Sequence, residues 1–128
     1  MDVNVEGLAW RETSVEGVCW MPLHLAGESG GSRSEAVAAA DSTVLIRMAP
    51  GCSYPAHRHE GIEEVLILAG GYRDETGEHC AGSYLRYEPG SQHAPIALGD
   101  GARPEGVDNP ACVLFAVARG GVTLCEDG

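Results

Sequence analysis

A chain of 128 residues is long enough for one domain with a buried core and too short for two of ordinary size. Its net charge of −11, spread along the chain, repels phosphate backbones, which argues against nucleic acid and leaves small molecules, basic protein surfaces or metal cations as partners. No apolar run approaches the ~20 residues needed to span a bilayer, and the start, "MDVNVEGLAW", lacks the basic and apolar stretches of a secretion signal.

Taken in chain order, "VCWMPLHL" (18–25) is the first segment with strand composition, followed by the turn-rich "GESGGSRS" (27–34). "SEAVAAAD" (34–41) has helical composition with Ser34 as an N-cap, and reads as one helical turn or a loop. "TVLIRM" (43–48), "EVLILAG" (64–70), "SYLRYEP" (83–89) and "CVLFAVA" (112–118) are further short strands. Between them lie "APGCSYP" (49–55), "DETGEH" (74–79) and the long "LGDGARPEGVDNP" (98–110), which is predicted to be a surface loop. Short strands with Gly/Pro punctuation and no strand–helix alternation predict an all-β, antiparallel sandwich or barrel, with residues 1–128 as a single domain.

Within 64–68, Val65 and Ile67 are apolar on one face and Leu66 and Leu68 on the other. The outer face therefore needs a cover, and a homodimer is the simplest one. The five cysteines are odd in number, widely spaced and without a C-x-x-C pair. That pattern argues against a disulfide framework or a Cys-rich zinc site and suits buried thiols in a reducing cytoplasm.

The chemistry concentrates in residues 51–70, "GCSYPAHRHEGIEEVLILAG". In an extended segment residues i and i+2 share a face, so His57 and His59 can reach one ion while Arg58 points away. After the "EGI" turn the next strand opens with Glu63 and Glu64. Imidazole with carboxylate suits one divalent transition-metal ion (Zn, Fe, Mn or Ni) rather than Ca²⁺ or Mg²⁺, which prefer oxygen shells. The plain alternative is a polar turn in front of a buried strand.

Residues 51–70 read G-x5-H-x-H-x3-E-x6-G and resemble the first signature motif of the cupin superfamily. The match to Gly70 selects Glu63 over Glu64. The second cupin motif is matched at Gly82, Gly90 and His93; it departs at Glu88, where the motif has Pro, and at Ala97, where it has Asn. The resemblance implies a double-stranded β-helix, or jelly roll, with a metal held by His57, His59, Glu63 and His93. It also implies a short hairpin between Gly70 and Gly82. His24 and His79 match no ligand position; His79 is expected in solvent at the hairpin end, and Glu64 on the solvent side or behind a ligand histidine.

A narrower likeness runs through Trp10, "EGVCWMPL" (16–23), "APG" (49–51), "GIEEVLILAGGYRDETGEHCAGSY" (61–84) and "PGSQHAP" (89–95). These resemble ChrR-type cupin domains over roughly residues 8–118, with 98–110 as a longer loop. Such domains form the C-terminal half of zinc-dependent anti-sigma factors and also occur alone. Only the cupin half is implied, without the helical domain that holds the sigma factor. The expected role is a small-molecule binding or sensing module with zinc or iron. The alternative is an Fe(II) dioxygenase acting on a diketone-like or other small oxygenated substrate. No separate catalytic group stands out: Tyr54, Tyr84, Tyr87, Arg47, Arg73, Arg86 and Gln92 could line a pocket, but each reads more simply as strand surface or rim.

Overall fold

Alternating burial along Glu63–Ala69 shows how the chain builds its interior: Val65 and Ile67 are 3% and 1% exposed, whereas Leu66 and Leu68 are 39% and 50% exposed. A computed structural model describes residues 9–25 and 41–124. The expected helical turn at 34–41 lies outside these apart from Asp41. Twelve strands follow in order: β1 (Arg11–Glu12), β2 (Val18–Leu25), β3 (Ser42–Met48), β4 (His57–His59), β5 (Glu63–Ala69), β6 (Gly71–Asp74), β7 (Gly77–Cys80), β8 (Tyr84–Tyr87), β9 (Gln92–His93), β10 (Ile96–Ala97), β11 (Cys112–Ala118) and β12 (Val122–Leu124). No helix occurs among the described residues, so none is long and apolar enough to cross a membrane.

Every strand pairing is antiparallel. A six-stranded sheet runs β1-β2-β3-β11-β5-β8, and two three-stranded sheets run β10-β6-β7 and β12-β4-β9. This is the jelly roll that the motifs implied. The five segments with strand composition became β2, β3, β5, β8 and β11, the strands with enough Val, Leu and Ile to bury a face. The seven others are two to four residues long, too short to show a period.

Inward residues of both kinds of sheet meet in one core that includes Val18, Met48, Ile67, Tyr72, Cys112 and Leu114. Fully burying a side chain such as Ile67 contributes about 1.5–3 kcal/mol. Two irregularities bend the large sheet. Leu23 is skipped in the β2–β3 register beside Pro22, which has no N–H to give the ladder, and Leu68 is skipped opposite Val113 and Leu114.

Gly70 carries the chain from β5 into β6, out of one sheet and into another, at φ 63°. A Cβ there would sit 2.4 Å from the Ala111 carbonyl oxygen, so only glycine fits both the dihedral and the space. On the outer face of the large sheet, Met21, Leu45, Phe115, Leu66 and Tyr84 stand in register across five strands. This row is buried at its β2–β3 end and exposed at its β5–β8 end.

The segment 98–110 is a surface loop, as expected, yet it is internally ordered. Asn109 is buried; its Oδ1 accepts from Asp100 N, and its Nδ2 donates to the carbonyls of Asp100, Arg103 and Pro104.

Candidate metal centre

Strand geometry brings the four expected residues together. His57 and His59 point inward from β4 while Arg58 is exposed; Glu63 begins β5; and His93 lies directly opposite His57 in the β4–β9 ladder. All four are buried, and one ligand atom from each lies within 4.8 Å of the others.

The tautomers follow from what each outer nitrogen touches. His57 Nδ1 lies 3.0 Å from the Pro55 carbonyl, which can only accept, so Nδ1 carries the proton. His59 Nδ1 faces the Ser91 carbonyl at 3.1 Å and the Ser91 hydroxyl at 3.0 Å; that hydroxyl donates to the Glu88 carbonyl and so accepts here. His93 Nδ1 lies 2.9 Å from the Asp74 carboxylate. Every Nδ1 is therefore a donor, and every Nε2 is left as a bare lone pair.

Those lone pairs converge. The Nε2 atoms of His57 and His93 are 2.9 Å apart, and His59 Nε2 is 2.9 Å from Glu63 Oε1. Although His59 Nε2 sits at ion-pair distance from Glu63, it is buried without a hydrogen-bond partner, as expected when its only proton is on the other nitrogen. Protonation would relieve the crowding, but burial opposes it. Burial pushes His57 down to about 4, against the upward pull of its bond to Pro55, and also lowers His93, against Asp74. Four electron-pair donors with no proton between them are what a cation satisfies. Three imidazoles and one carboxylate could hold a divalent transition-metal ion.

Aromatic rings set the walls. Tyr87 stacks on His59 at 4.9 Å between centroids and lies 4.3 Å from His93. The Tyr72 hydroxyl hydrogen-bonds the Tyr87 hydroxyl, which donates to Asp74 at 2.7 Å. Burial raises both phenols above their ordinary range, so both stay protonated. Tyr54 meets His57 edge-on at 5.1 Å, and burial, then the Glu63 charge, raises its phenol.

A cavity of about 1010 Å³ opens beside the group. His57, Glu63 and His93 reach its wall together with Tyr54, and the remainder is largely apolar, including Trp20 and Ile46. No Lys or Arg is among the described residues lining it.

Several expectations are corrected. Tyr87 is buried against two of the histidines rather than lying on the strand surface, while Tyr54 takes the pocket-lining place that the sequence also allowed. His79 is drawn out of solvent: its Nε2 lies 2.8 Å from Thr76 Oγ1 and 3.2 Å from Asp74. Glu64, by contrast, takes the first of its two expected places, on the solvent side, where it accepts from Tyr84. The groups that do back the histidines are Pro55, Ser91 and Asp74. Asp74 was legible in "DETG" only as a turn residue, because nothing in the sequence shows its side chain pointing inward.

A family model for the ChrR cupin-like domain matches residues 1–102. The chain belongs to the ChrR cupin-like family. The anti-sigma-E factor ChrR of Cereibacter sphaeroides is 30% identical over 86 residues, which is 65% of this chain and 38% of that protein. The crystal structure of Rhodobacter sphaeroides SigE in complex with the anti-sigma ChrR has a TM-score of 0.62 and 27% identity, over 90% of this chain and 50% of ChrR. An acetylacetone dioxygenase from Acinetobacter johnsonii shares the fold at TM-score 0.68 and 16% identity, over 99% of this chain and 77% of that one. This ChrR-like chain thus spans well under half of the curated relative it matches and half of the solved one.

Proposed function

We propose that this ChrR-like cupin domain binds one divalent transition-metal ion, zinc or iron, through His57, His59, Glu63 and His93. In this reading it serves as a small-molecule binding or sensing module. The observation that carries the proposal is the convergence of three unprotonated Nε2 atoms and a carboxylate at one buried point. Three of the four groups also face the cavity, which gives a small molecule a path to the ion. The largely apolar lining, with no Lys or Arg among the described residues, favours an uncharged, largely apolar ligand carrying oxygen donors. Four free cysteines among the described residues suit a reducing compartment.

The test is metal analysis of protein expressed in metal-replete medium. About one transition-metal ion per chain is expected, lost in a His57→Ala/His59→Ala double variant. Wild-type protein without metal would overturn the reading.

A second reading is favoured by the same cavity. If the ion is iron, coordination positions left open toward the cavity would supply binding for O₂ and for a diketone-like or other small oxygenated substrate. Tyr54 and the apolar wall would then orient that substrate and exclude water. Oxygen uptake by the iron-loaded protein on a β-diketone decides for this reading, and ligand binding without oxygen uptake decides for sensing. We also read the exposed β5–β8 end of the outer apolar row as the face where a second copy packs.

A further inference from the structure

Among the groups behind the three histidines, one differs in kind. Pro55 and Ser91 offer neutral oxygens, whereas Asp74 offers a carboxylate whose side chain is 0% exposed. One of its oxygens accepts from His93 Nδ1 at 2.9 Å and from the Tyr87 hydroxyl at 2.7 Å. The other accepts from the Thr76 backbone N–H at 2.9 Å and the Thr76 hydroxyl at 2.6 Å, with His79 Nε2 at 3.2 Å. Five donors from four residues thus hold one carboxylate at the end of β6, at the back of His93.

Charge gives this arrangement its meaning. A divalent ion bound to Glu63 and three neutral imidazoles would leave one uncompensated positive charge in a buried site. Uncompensated buried charge is costly, and a second anion one hydrogen bond away removes it. A carboxylate on Nδ1–H also makes the opposite nitrogen a better donor and holds the ring in the tautomer that ligation needs. We propose that Asp74 is the positioning residue of the centre, supplying the second negative charge through His93 and so setting metal affinity. Thr76 from the β6–β7 turn and His79 from β7 fix Asp74. This role rests on the metal-binding reading above.

The test uses Co²⁺ as the probe on the whole chain, with affinity measured by chelator competition. Asp74→Asn keeps the shape and removes the charge; it is expected to weaken Co²⁺ binding about 10–100-fold and to shift the Co²⁺ absorption bands. Ser91→Ala leaves the Ser91 carbonyl in place at His59 and is expected to cost less than about threefold, as only a neutral acceptor is lost. Affinity of Asp74→Asn within twofold of wild type, or equal losses in the two variants, would overturn the proposal. A merely structural role would lower the melting point of the metal-free protein without changing the affinity of its folded fraction. Should Asp74→Asn fail to fold, long-range ¹⁵N–¹H spectra of the metal-free wild type decide. A proton on His93 Nδ1 supports the role and a proton on Nε2 overturns it. Wild-type protein that takes up no Co²⁺ defeats the metal reading itself, whereas normal uptake with an unaffected Asp74→Asn defeats only this role.

Discussion

The Nε2 atoms of His57 and His93 face each other at 2.9 Å across the β4–β9 pair, and neither carries a proton to share. Each ring's proton is committed on its far side, to Pro55 or to Asp74. A cation held between these lone pairs would bind the folded chain and not the unfolded one, in which the four groups are apart. Zinc should therefore raise the thermal midpoint, by an amount equivalent to ~4 kcal/mol at a thousandfold excess over Kd. A chelator should reverse the shift, and His93→Ala should abolish it. Calorimetry with and without zinc measures this.

Neighbouring residues on β5 should respond oppositely to truncation. Ile67 is 1% exposed and packed in the core, so Ile67→Ala should cost about 2–5 kcal/mol. Leu68, half exposed and left over in the register, should cost within about 0.5 kcal/mol as Leu68→Ala in the monomer. Urea midpoints at fixed m-value check the pair.

Gly70→Ala should destabilise by about 1–3 kcal/mol, since the left-handed dihedral and the Ala111 carbonyl both oppose a Cβ. Gly90 also has positive φ, at 87°, but a Cβ there meets nothing within 4 Å, so Gly90→Ala should be the milder change. Thermal melts of the two variants compare dihedral strain alone with strain plus collision.

Cys112 is fully buried, and burial pushes its thiol up to about 12 against the lowering effect of a hydrogen bond from the Gly71 backbone. In the unfolded chain a thiol ionises near 9. The folded form thus holds its proton longer, and the stability this thiol contributes is complete below pH 9 and lost as pH rises from there toward 12. Cys112→Ala should flatten that alkaline decline. At pH 8 iodoacetamide should label the exposed Cys80 while Cys112 stays unmodified until the chain unfolds; mass spectrometry distinguishes them.

If a second copy packs on the β5–β8 end of the large sheet, light scattering should report twice the 13.4 kDa chain mass. Leu66→Glu/Leu68→Glu should return it to one chain. A monomeric wild type would reject this cover for the row.

Legibility followed physical scale. Strands β2, β3, β5 and β11 were readable because seven or eight apolar-rich residues suffice to show a buried face. Strands β1, β9 and β10 have two residues each, too few to show a period, and β9 and β10 owe their state to partners far along the chain. Tyr87 looked like surface because its neighbours Arg86 and Glu88 are polar, yet alternation turns its ring inward onto His59.

The sequence by itself showed that His57 and His59 can share a face, since spacing along an extended strand decides that; its resemblance to the two glycine-punctuated cupin motifs implied Glu63 and His93 as the other candidate ligands. It also determined the all-β class, through turn chemistry and the absence of helical periodicity. Only the tertiary structure decided which nitrogen of each histidine is bare, because that depends on the oxygens of Pro55, Ser91 and Asp74 behind the rings. Asp74 is the plainest case. Its carboxylate reaches a residue nineteen positions away, and only the folding of the β6–β7 hairpin against β9 brings the charge there. Local spacing can place side chains on one face, but proton positions and charge balance arise from contacts between segments.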